Sequence, residues 1–571
     1  MTNLEHLPNE VFHELFEYFN VIELIHAFRN LNSRFNKLLF TSFHSYRLDF
    51  RSISKSNFNL VCTRYLPGII DQVHLLCLSN ECETPQLYRH LLNFNLTVDE
   101  FTHLHVLLLH RIDSANVLLE ITSDCFYLPY LTHLKITKCK FTSECAPKEL
   151  LNNIWHLNSL TNCTLDMTFE HSPRFSGLSM ISKTMKYLSI KCHTFSSMEL
   201  SHLFSLTPYL QHLSINIGET VDIKSQHIIP ALFLTRLNLH FGGTLFTLTK
   251  LLQSAPNLRH LKLETESINL NGNQWQQLLT KYVSKIETFR FLIRVLSLKS
   301  DHVEEHLEEF FQTFQTSFWL DEHHWYVRCD LPQQSGKLFI FYTLPYCSDS
   351  THVVYQNRWS KTTLPQLGNS NCFDQISDVF YKRCKPNLSL PTICYPNIHR
   401  LTLILPHDRN FWTIIPQLDS LTSLKVIEKK EDSRSQYQLK TLLGRARRLN
   451  MLNIDALLFL RLLRMNFHHA SVRQLELLPY HSKTNRYLNA TQCSFLADSS
   501  FGQQCEVLLI YIETRTIILD LIPKMCNLRA LHIYCQDDRA NDDLVEWLKN
   551  SLPDTCSIAR RRSGPIQIWI Q

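Results

Sequence analysis

Glycine is scarce in this chain, with 11 in 571 residues, and the single adjacent pair, Gly242-Gly243, has no G-x-G spacing around it. Loops that cradle phosphate need clustered glycines so that the backbone can approach the ligand. Nucleotide-binding motifs are therefore absent, and no cofactor is expected. A run of about 18 uninterrupted apolar residues is also missing, so no membrane span is expected. Charge of one sign is lacking too: the net charge is only +5 over the whole length, too dilute to argue for nucleic acid without a local cluster. The spacings G-x-S-x-G, H-E-x-x-H and C-x-x-C do not occur, which removes motif support for hydrolase elbows, zincins and thioredoxin-type sites.

Cysteine, by contrast, is plentiful at 18 residues. The cysteines are scattered, and the pairs Cys77 and Cys82, Cys139 and Cys145, and Cys384 and Cys394 are too irregularly spaced for a structural zinc knuckle. Buried free thiols are expected, with no metal. The acidic, helical N-terminus does not read as a signal peptide, so cytoplasm, nucleus or both is the expected location. The Arg445, Arg447 and Arg448 run, Arg461 with Arg464, and Arg560-Arg561-Arg562 are the strongest basic clusters. They fall at turns and strand boundaries and are expected to serve those rather than an import signal. His323-His324, near Cys329, flank an aromatic strand and are expected to pack there.

The first forty residues carry more apolar side chains than a free-standing module of that size can use. Leu7, Val11, Leu15 and Phe19 form one helical stripe, and Phe12 and Phe16 form a second beside it. One stripe can face the segment's own core; the other needs something else. A further apolar run, Val21, Ile22, Leu24, Ile25, Ala27, Phe28 and Leu31, precedes Asn32-Ser33, a fair helix start, and then Phe35, Leu38 and Leu39 at helical spacing. Three short helices are predicted. A segment of about 40 residues rarely folds without a metal, disulfides or a partner, so a partner protein is the physical expectation.

From Phe101 onward a phrase recurs: Leu131-Thr-His-Leu134-Lys-Ile136, Met185-Lys-Tyr-Leu188-Ser-Ile190, Leu210-Gln-His-Leu213-Ser-Ile215, Leu234-Thr-Arg-Leu237-Asn-Leu239 and Leu258-Arg-His-Leu261-Lys-Leu263. The central leucines of the last four are 25, 24 and 24 residues apart, and the later series Leu401, Leu424 and Leu452 is spaced by 23 and 28. Each copy reads as a helix ending on paired aliphatics, a short turn with Pro or Asn, then a strand of period two whose leucines stack on those of neighbouring repeats. Residues 318 to 395 break this rhythm. After an amphipathic helix over Asp301 to Thr316, the segments about Trp325 to Asp330 and Lys337 to Leu344 alternate with period two and predict a hairpin. A loop follows to Tyr395. The segment is read as an insertion protruding from the repeats rather than as two distorted copies. At the far end a short helix over Asn541 to Asn550 and strands at Cys556 to Arg561 and Pro565 to Ile570 suggest a hairpin cap over the last repeat.

The N-terminal residues resemble the F-box, the module by which substrate receptors dock onto the Skp1 adaptor of cullin-RING ubiquitin ligases. The match runs through Leu7-Pro8-x-Glu10-Val11, Leu15-Phe16-x-x-Phe19, Leu24, and Leu31-Asn32-x-Arg34-Phe35-x-x-Leu38; Phe28 is bulkier than the family's usual residue. The resemblance implies adaptor contacts by Leu7, Pro8, Glu10, Val11, Leu15, Phe16, Phe19, Leu24, Phe28, Leu31, Arg34 and Phe35. The recurring phrase is similar to the degenerate leucine-rich repeats that commonly follow an F-box. Together the two imply an α/β chain: a three-helix F-box at 1–45, repeats building a curved parallel sheet with outer helices at 46–300, the helix, hairpin and loop insertion at 301–395, and further repeats with a hairpin cap at 396–571.

Residues opposite the inward leucines point to the other sheet face, and His133, Lys135, His212, Arg236, His260, Lys262 and Arg290 are the candidates for holding a protein target. The expected function is that of a non-catalytic substrate-recognition subunit: a Skp1-like adaptor, and through it a cullin, at one end, and an unspecified protein target on the repeats, with no nucleic acid and no membrane. The alternative is an interaction scaffold of the same build with no ubiquitin ligase role.

Overall fold

The computed structural model describes the chain except residues 1–5, 17, 20–23, 25–26, 29–30, 43–45, 142–145, 170–174, 219–227, 297–302, 333–337, 349–351, 355–356, 366–371, 383–392, 429–431, 466, 480–486, 539–542 and 561–563. It divides into two compact units: one takes residues 1–238 with 246–258, and the second takes 239–245 with 259–570. Both are mixed α/β, with sheets rich in parallel strands.

In the first unit, strands β1 (Tyr46–Asp49), β2 (Val73–Ser79), β3 (Val106–His110), β4 (His133–Phe141), β5 (Asn162–Phe169), β6 (Tyr187–Phe195) and β7 (His212–Ile217) lie side by side in chain order, every neighbour parallel. Parallel neighbours cannot be joined by a tight turn and need a crossover. Helices such as Ala115–Asp124 and Ser197–Leu206 supply it. The second of these starts where Ser196 and Glu199 cap each other reciprocally, and it buries Leu200, Leu203 and Phe204. The ladder register places Leu107, Leu134, Cys163, Leu188 and Leu213 in one row and Leu109, Ile136, Leu165, Ile190 and Ile215 in the next. All ten are buried. At roughly 1.5–3 kcal/mol for each fully buried aliphatic of this size, these rows are the main source of the sheet's cohesion.

The turns between helix and strand have their own repeating bond. The residue just before the repeat's leucine reaches back to a carbonyl in the preceding turn: Ser159 Oγ donates to Pro129 O (2.6 Å) and Asn257 Nδ2 to Leu232 O (2.8 Å). In the second unit Asn397 donates to Asp374 O (3.3 Å) and Asn527 to Gln503 O (2.6 Å) at the same position. These bonds satisfy carbonyls that the turn leaves without a backbone partner.

The second unit holds two further stretches of sheet. In one, β9 (His260–Thr265) and β10 (Thr288–Leu296) are parallel, and antiparallel strands continue the sheet. These are β11 (Tyr326–Pro332), β12 (Leu338–Leu344) and β14 (Asn357–Thr362), in the order β10, β12, β11, β14. In the other, β13 (His352–Val354), β15 (Asp378–Tyr381), β16 (Arg400–Leu405), β17 (Ser423–Glu428), β18 (Met451–Ile454), β19 (Gln474–Leu477), β20 (Val507–Ile512) and β21 (Ala530–Cys535) are parallel neighbours. The antiparallel strands β23 (Ile566–Trp569) and β22 (Ser557–Arg560) then complete it.

The reading of residues 301–395 needs correction. The hairpin does not protrude: β12 pairs along its length with β10, from Leu292 against Tyr342 to Leu296 against Leu338. The stretch expected to be loop as far as Tyr395 contributes β13, β14 and β15. The helix forms over Val303–Gln312 and sets Phe311 and, just beyond it, Phe314 into a core with Trp275, Phe291 and Trp319. Within this core Arg328 and Asp330 form a buried ion pair (3.1 Å), and the Tyr342 and Ser360 hydroxyls donate to the same carboxylate at 2.7 and 2.5 Å. Burial, then the Asp330 charge, drives the Tyr342 hydroxyl well above its ordinary value. A pair taken out of water this way is sustained only when its remaining lone pairs find partners, which Tyr342 and Ser360 supply.

Candidate functional site

The N-terminal module shows which apolar stripe it keeps for itself. Helices Asn9–Phe16 and Ser33–Ser42 pack Phe12, Phe16 and Phe35 against one another and against Phe28. The closest rings, Phe12 with Phe35 and Phe16 with Phe28, are 5.0 Å apart. Arg34 ties the two ends together: its guanidinium donates to Leu7 O (2.5 Å) and Asn9 Oδ1 (2.7 Å) and lies 5.6 Å over the Phe12 ring. A planar fork with fixed donors suits such bridging.

The twelve candidate adaptor residues therefore divide. Phe16, Leu24 and Phe35 are buried and Phe28 is half-buried, so these four are corrected: they fill the module's own interior and present little surface to a partner. Arg34 is engaged inside the module. Val11 (37% exposed), Leu15 (37%), Phe19 (46%) and Leu31 (60%) face outward, with Pro8 and Glu10 exposed and Leu7 half-buried beside them. Scattered apolar residues on a surface need no explanation, but a helical stripe of them does. Val21, Ile22 and Ile25 lie outside the described residues.

On the sheet of the first unit, the face opposite the buried rows places His133, Asn162, Tyr187 and His212 on one rung and Lys135, Thr164, Ser189 and Ser214 on the next. The Tyr187 and His212 rings meet edge-on at 4.3 Å. Arg236 follows His212, its backbone N–H donating to Gln211 O (3.0 Å). His133, Lys135 and Arg236 are exposed and His212 is half-buried. In the second unit His260 is the register partner of Thr288, and Lys262 of Arg290. Lys262 stands 3.8 Å from Glu264 and His260 3.9 Å from Glu287.

The basic clusters are absorbed by structure. Arg445 lies 4.1 Å over the Trp412 ring, Arg461 pairs with the buried Glu428, and Arg560 donates to Asp538 at 2.7 Å; Arg561 and Arg562 lie outside the described residues. His323 stacks on Trp325 at 4.0 Å, and the His324 ring nitrogen contacts Leu320 O at 2.7 Å. Among the described cysteines burial raises the thiols of Cys62, Cys77, Cys139, Cys493 and Cys505 to about 12, which leaves them protonated and unreactive at neutral pH. Cys145 and Cys384 lie outside the described residues. No group of three His, Cys, Asp or Glu side chains among the described residues is placed to hold a metal ion, and no helix among them is long and apolar enough to cross a membrane.

Two features escape a reading of the sequence. The Arg328–Asp330 network sits on a strand buried on both faces, where alternation no longer separates inside from outside. At the helix-to-strand turns of the first unit, Tyr130, Tyr209 and Phe233 occupy the position of Ser159 and Asn257 and stand about half-exposed, with Tyr209 and Phe233 in contact at 5.3 Å. The signal was present in the phrases Pro-Tyr-Leu and Leu-Phe-Leu, whose middle residue precedes the repeat's leucine. Compared with models of known families the chain matches none, and compared with curated proteins it matches none.

Proposed function

We propose that this protein is the substrate-recognition subunit of a Skp1–cullin–F-box ubiquitin ligase: an F-box at 1–45 docks the adaptor, and leucine-rich repeats hold the target. One observation carries the reading. The N-terminal helices close their own core with Phe12, Phe16 and Phe35 and still expose Val11, Leu15, Phe19 and Leu31. Fully burying a side chain of this size contributes roughly 1.5–3 kcal/mol, so a partner covering the stripe gains several kcal/mol, part of which offsets the loss of rotational and translational freedom. The strand and helix units that follow supply an extended surface and no acid, base or nucleophile of their own. Such a subunit works by proximity, raising the effective concentration of a target lysine at a conjugating enzyme whose cysteine does the chemistry.

The test is co-purification with a recombinant Skp1-type adaptor. Leu7→Ala with Pro8→Ala, and separately Leu15→Asp, are expected to weaken capture by tenfold or more while the thermal midpoint of the remaining chain is unchanged. Undiminished capture by both variants would sink the F-box assignment. Capture by the parent without ubiquitylation of any co-purified protein dependent on residues 1–45 would leave the scaffold reading standing in its place.

A further inference from the structure

The sheet face of the first unit carries charge of one sign that the protein itself does not neutralise. Across β4 to β7 and on to Asn238, the single carboxylate in the strands is Asp166. Lys135, Lys140, Lys191 and Arg236 are exposed there, and none of the four has a carboxylate within ion-pair distance among the described residues. The sheet strands of the second unit behave differently. Lys262 stands against Glu264 (3.8 Å), Arg294 against Glu266 (3.7 Å) and Arg400 against Asp378 (2.9 Å), and Arg473 and Arg529 share Glu506 at 3.6 and 2.9 Å. The same architecture thus pairs its cations in one unit and leaves them unpaired in the other.

The spacing of the unpaired cations has a period. Lys135 is on β4, Lys191 on β6, and Arg236 two strands further on. Neighbouring strands lie about 4.8 Å apart, so the three stand roughly 10 Å apart across the sheet, and an extended chain rising about 3.3 Å per residue covers that interval in about three residues. We propose that this face receives an extended acidic segment of a target polypeptide, with a carboxylate at about every third residue over a stretch of about seven. This rests on the receptor reading only in calling the occupant a target. Half-buried Leu108, the register neighbour of Lys135, gives the segment an apolar contact at one end. His133, Tyr187 and His212 line its path with rings and donors that suit a peptide. A nucleic acid backbone is the poorer fit, because Asp166 stands within the patch and so few cations release few counterions.

The experiment measures fluorescence anisotropy of a labelled Glu-Ser-Ser-Glu-Ser-Ser-Glu peptide with the full chain. The Gln-for-Glu peptide, a peptide with the three glutamates adjacent, and an oligothymidylate of equal charge serve as comparisons. The spaced acidic peptide is expected to bind most tightly and to weaken as salt rises. Lys135→Gln with Lys191→Gln and Arg236→Gln is expected to lower its affinity about tenfold, while circular dichroism and adaptor capture stay as in the parent. Equal affinity of the triple variant, equal affinity of the Gln peptide, or tighter binding of the oligothymidylate each overturns the proposal. Adaptor capture read on the same samples separates the two readings. Peptide binding without adaptor capture removes the receptor and keeps this site; capture without peptide binding removes the site alone.

Discussion

His90 shows how one half-buried ring can set the acid limit of the first unit. Burial, and then the ammonium of Lys55 beside it, pulls its imidazole down to about 4 from an ordinary value of 6.5. An unfolded chain accepts that proton near 6.5 and the folded one refuses it until about 4, so between those values the unfolded state binds more protons. Stability is then fully present above about pH 6.5 and falls as the pH drops toward 4, by up to about 3 kcal/mol at 1.36 kcal/mol per unit. His90→Gln removes the titration, so urea unfolding at pH 7 and at pH 4.5 is expected to show a smaller acid loss in the variant than in the parent. Equal losses would exclude this ring as the cause. Nothing in Arg89-His90-Leu91 marks the residue, because its pKa depends on Lys55, which is 35 residues away in the chain. What is legible at this scale is the residue whose role is set by its own strand or helix: the Leu134 and Ile136 alternation, or the double stripe of Phe12, Phe16 and Leu15. Which stripe turns inward was not legible, since both have helical spacing and the choice belongs to Phe28 and Phe35.

Elements meet in this protein through close backbone approaches as well as apolar rows, and Gly272 is the clearest case. It opens the helix Gly272–Tyr282, its N–H donates to Thr313 Oγ1 (2.7 Å), and its carbonyl accepts from Trp319 Nε1 (3.2 Å). A Cβ built on it would overlap the Thr313 carbonyl, which is backbone and cannot swing away. Two effects oppose each other on replacing it with alanine. The better helix propensity of alanine favours the variant by at most about 1 kcal/mol, whereas forcing atoms into a filled contact costs about 1–3 kcal/mol. Overpacking wins, so Gly272→Ala is expected to lower the urea midpoint of the second unit despite adding a helix-favouring residue; a midpoint raised or unchanged would mean the two segments can separate freely. The Leu-Asn-Gly-Asn phrase around Gly272 looks like an ordinary turn, and only the arrival of residues 313–319 gives the glycine its purpose. The same distinction explains which strands could be read. Those built on Leu-x-x-Leu-x-Ile bury one face and announce it, while β13 and β14, with His352-Val353-Val354 and Asn357-Arg-Trp-Ser-Lys-Thr362, are short, polar and recruited by their neighbours.

At the scale of the second unit, each parallel run ends in antiparallel strands: β9 and β10 are continued by β12, β11 and β14, and the run from β13 to β21 by β23 and β22. A parallel edge left bare offers a row of free N–H and C=O groups to any other strand. The closing strands remove that hazard while burying Ile566, Ile568 and Trp569. The outermost strand at the C-terminal side, β22, is short, and Arg560 at its end is held by Asp538 at 2.7 Å, a charged edge that discourages further addition. Removing residues 553–571 exposes the backbone edge of β21 and uncovers the two isoleucines, roughly 3–6 kcal/mol of apolar burial against a typical domain stability of about 5–15 kcal/mol. The truncated chain is expected to unfold at lower temperature and to associate with rising concentration in light scattering, more than the full chain does. Ile568→Lys, which keeps the strand but spoils its buried face, is expected to lower the unfolding temperature with less association, because the hydrogen-bonding edge stays covered. If truncation leaves both the midpoint and the scattering mass unchanged, the edge is protected by something other than β23, and the closing role argued for the hairpin fails.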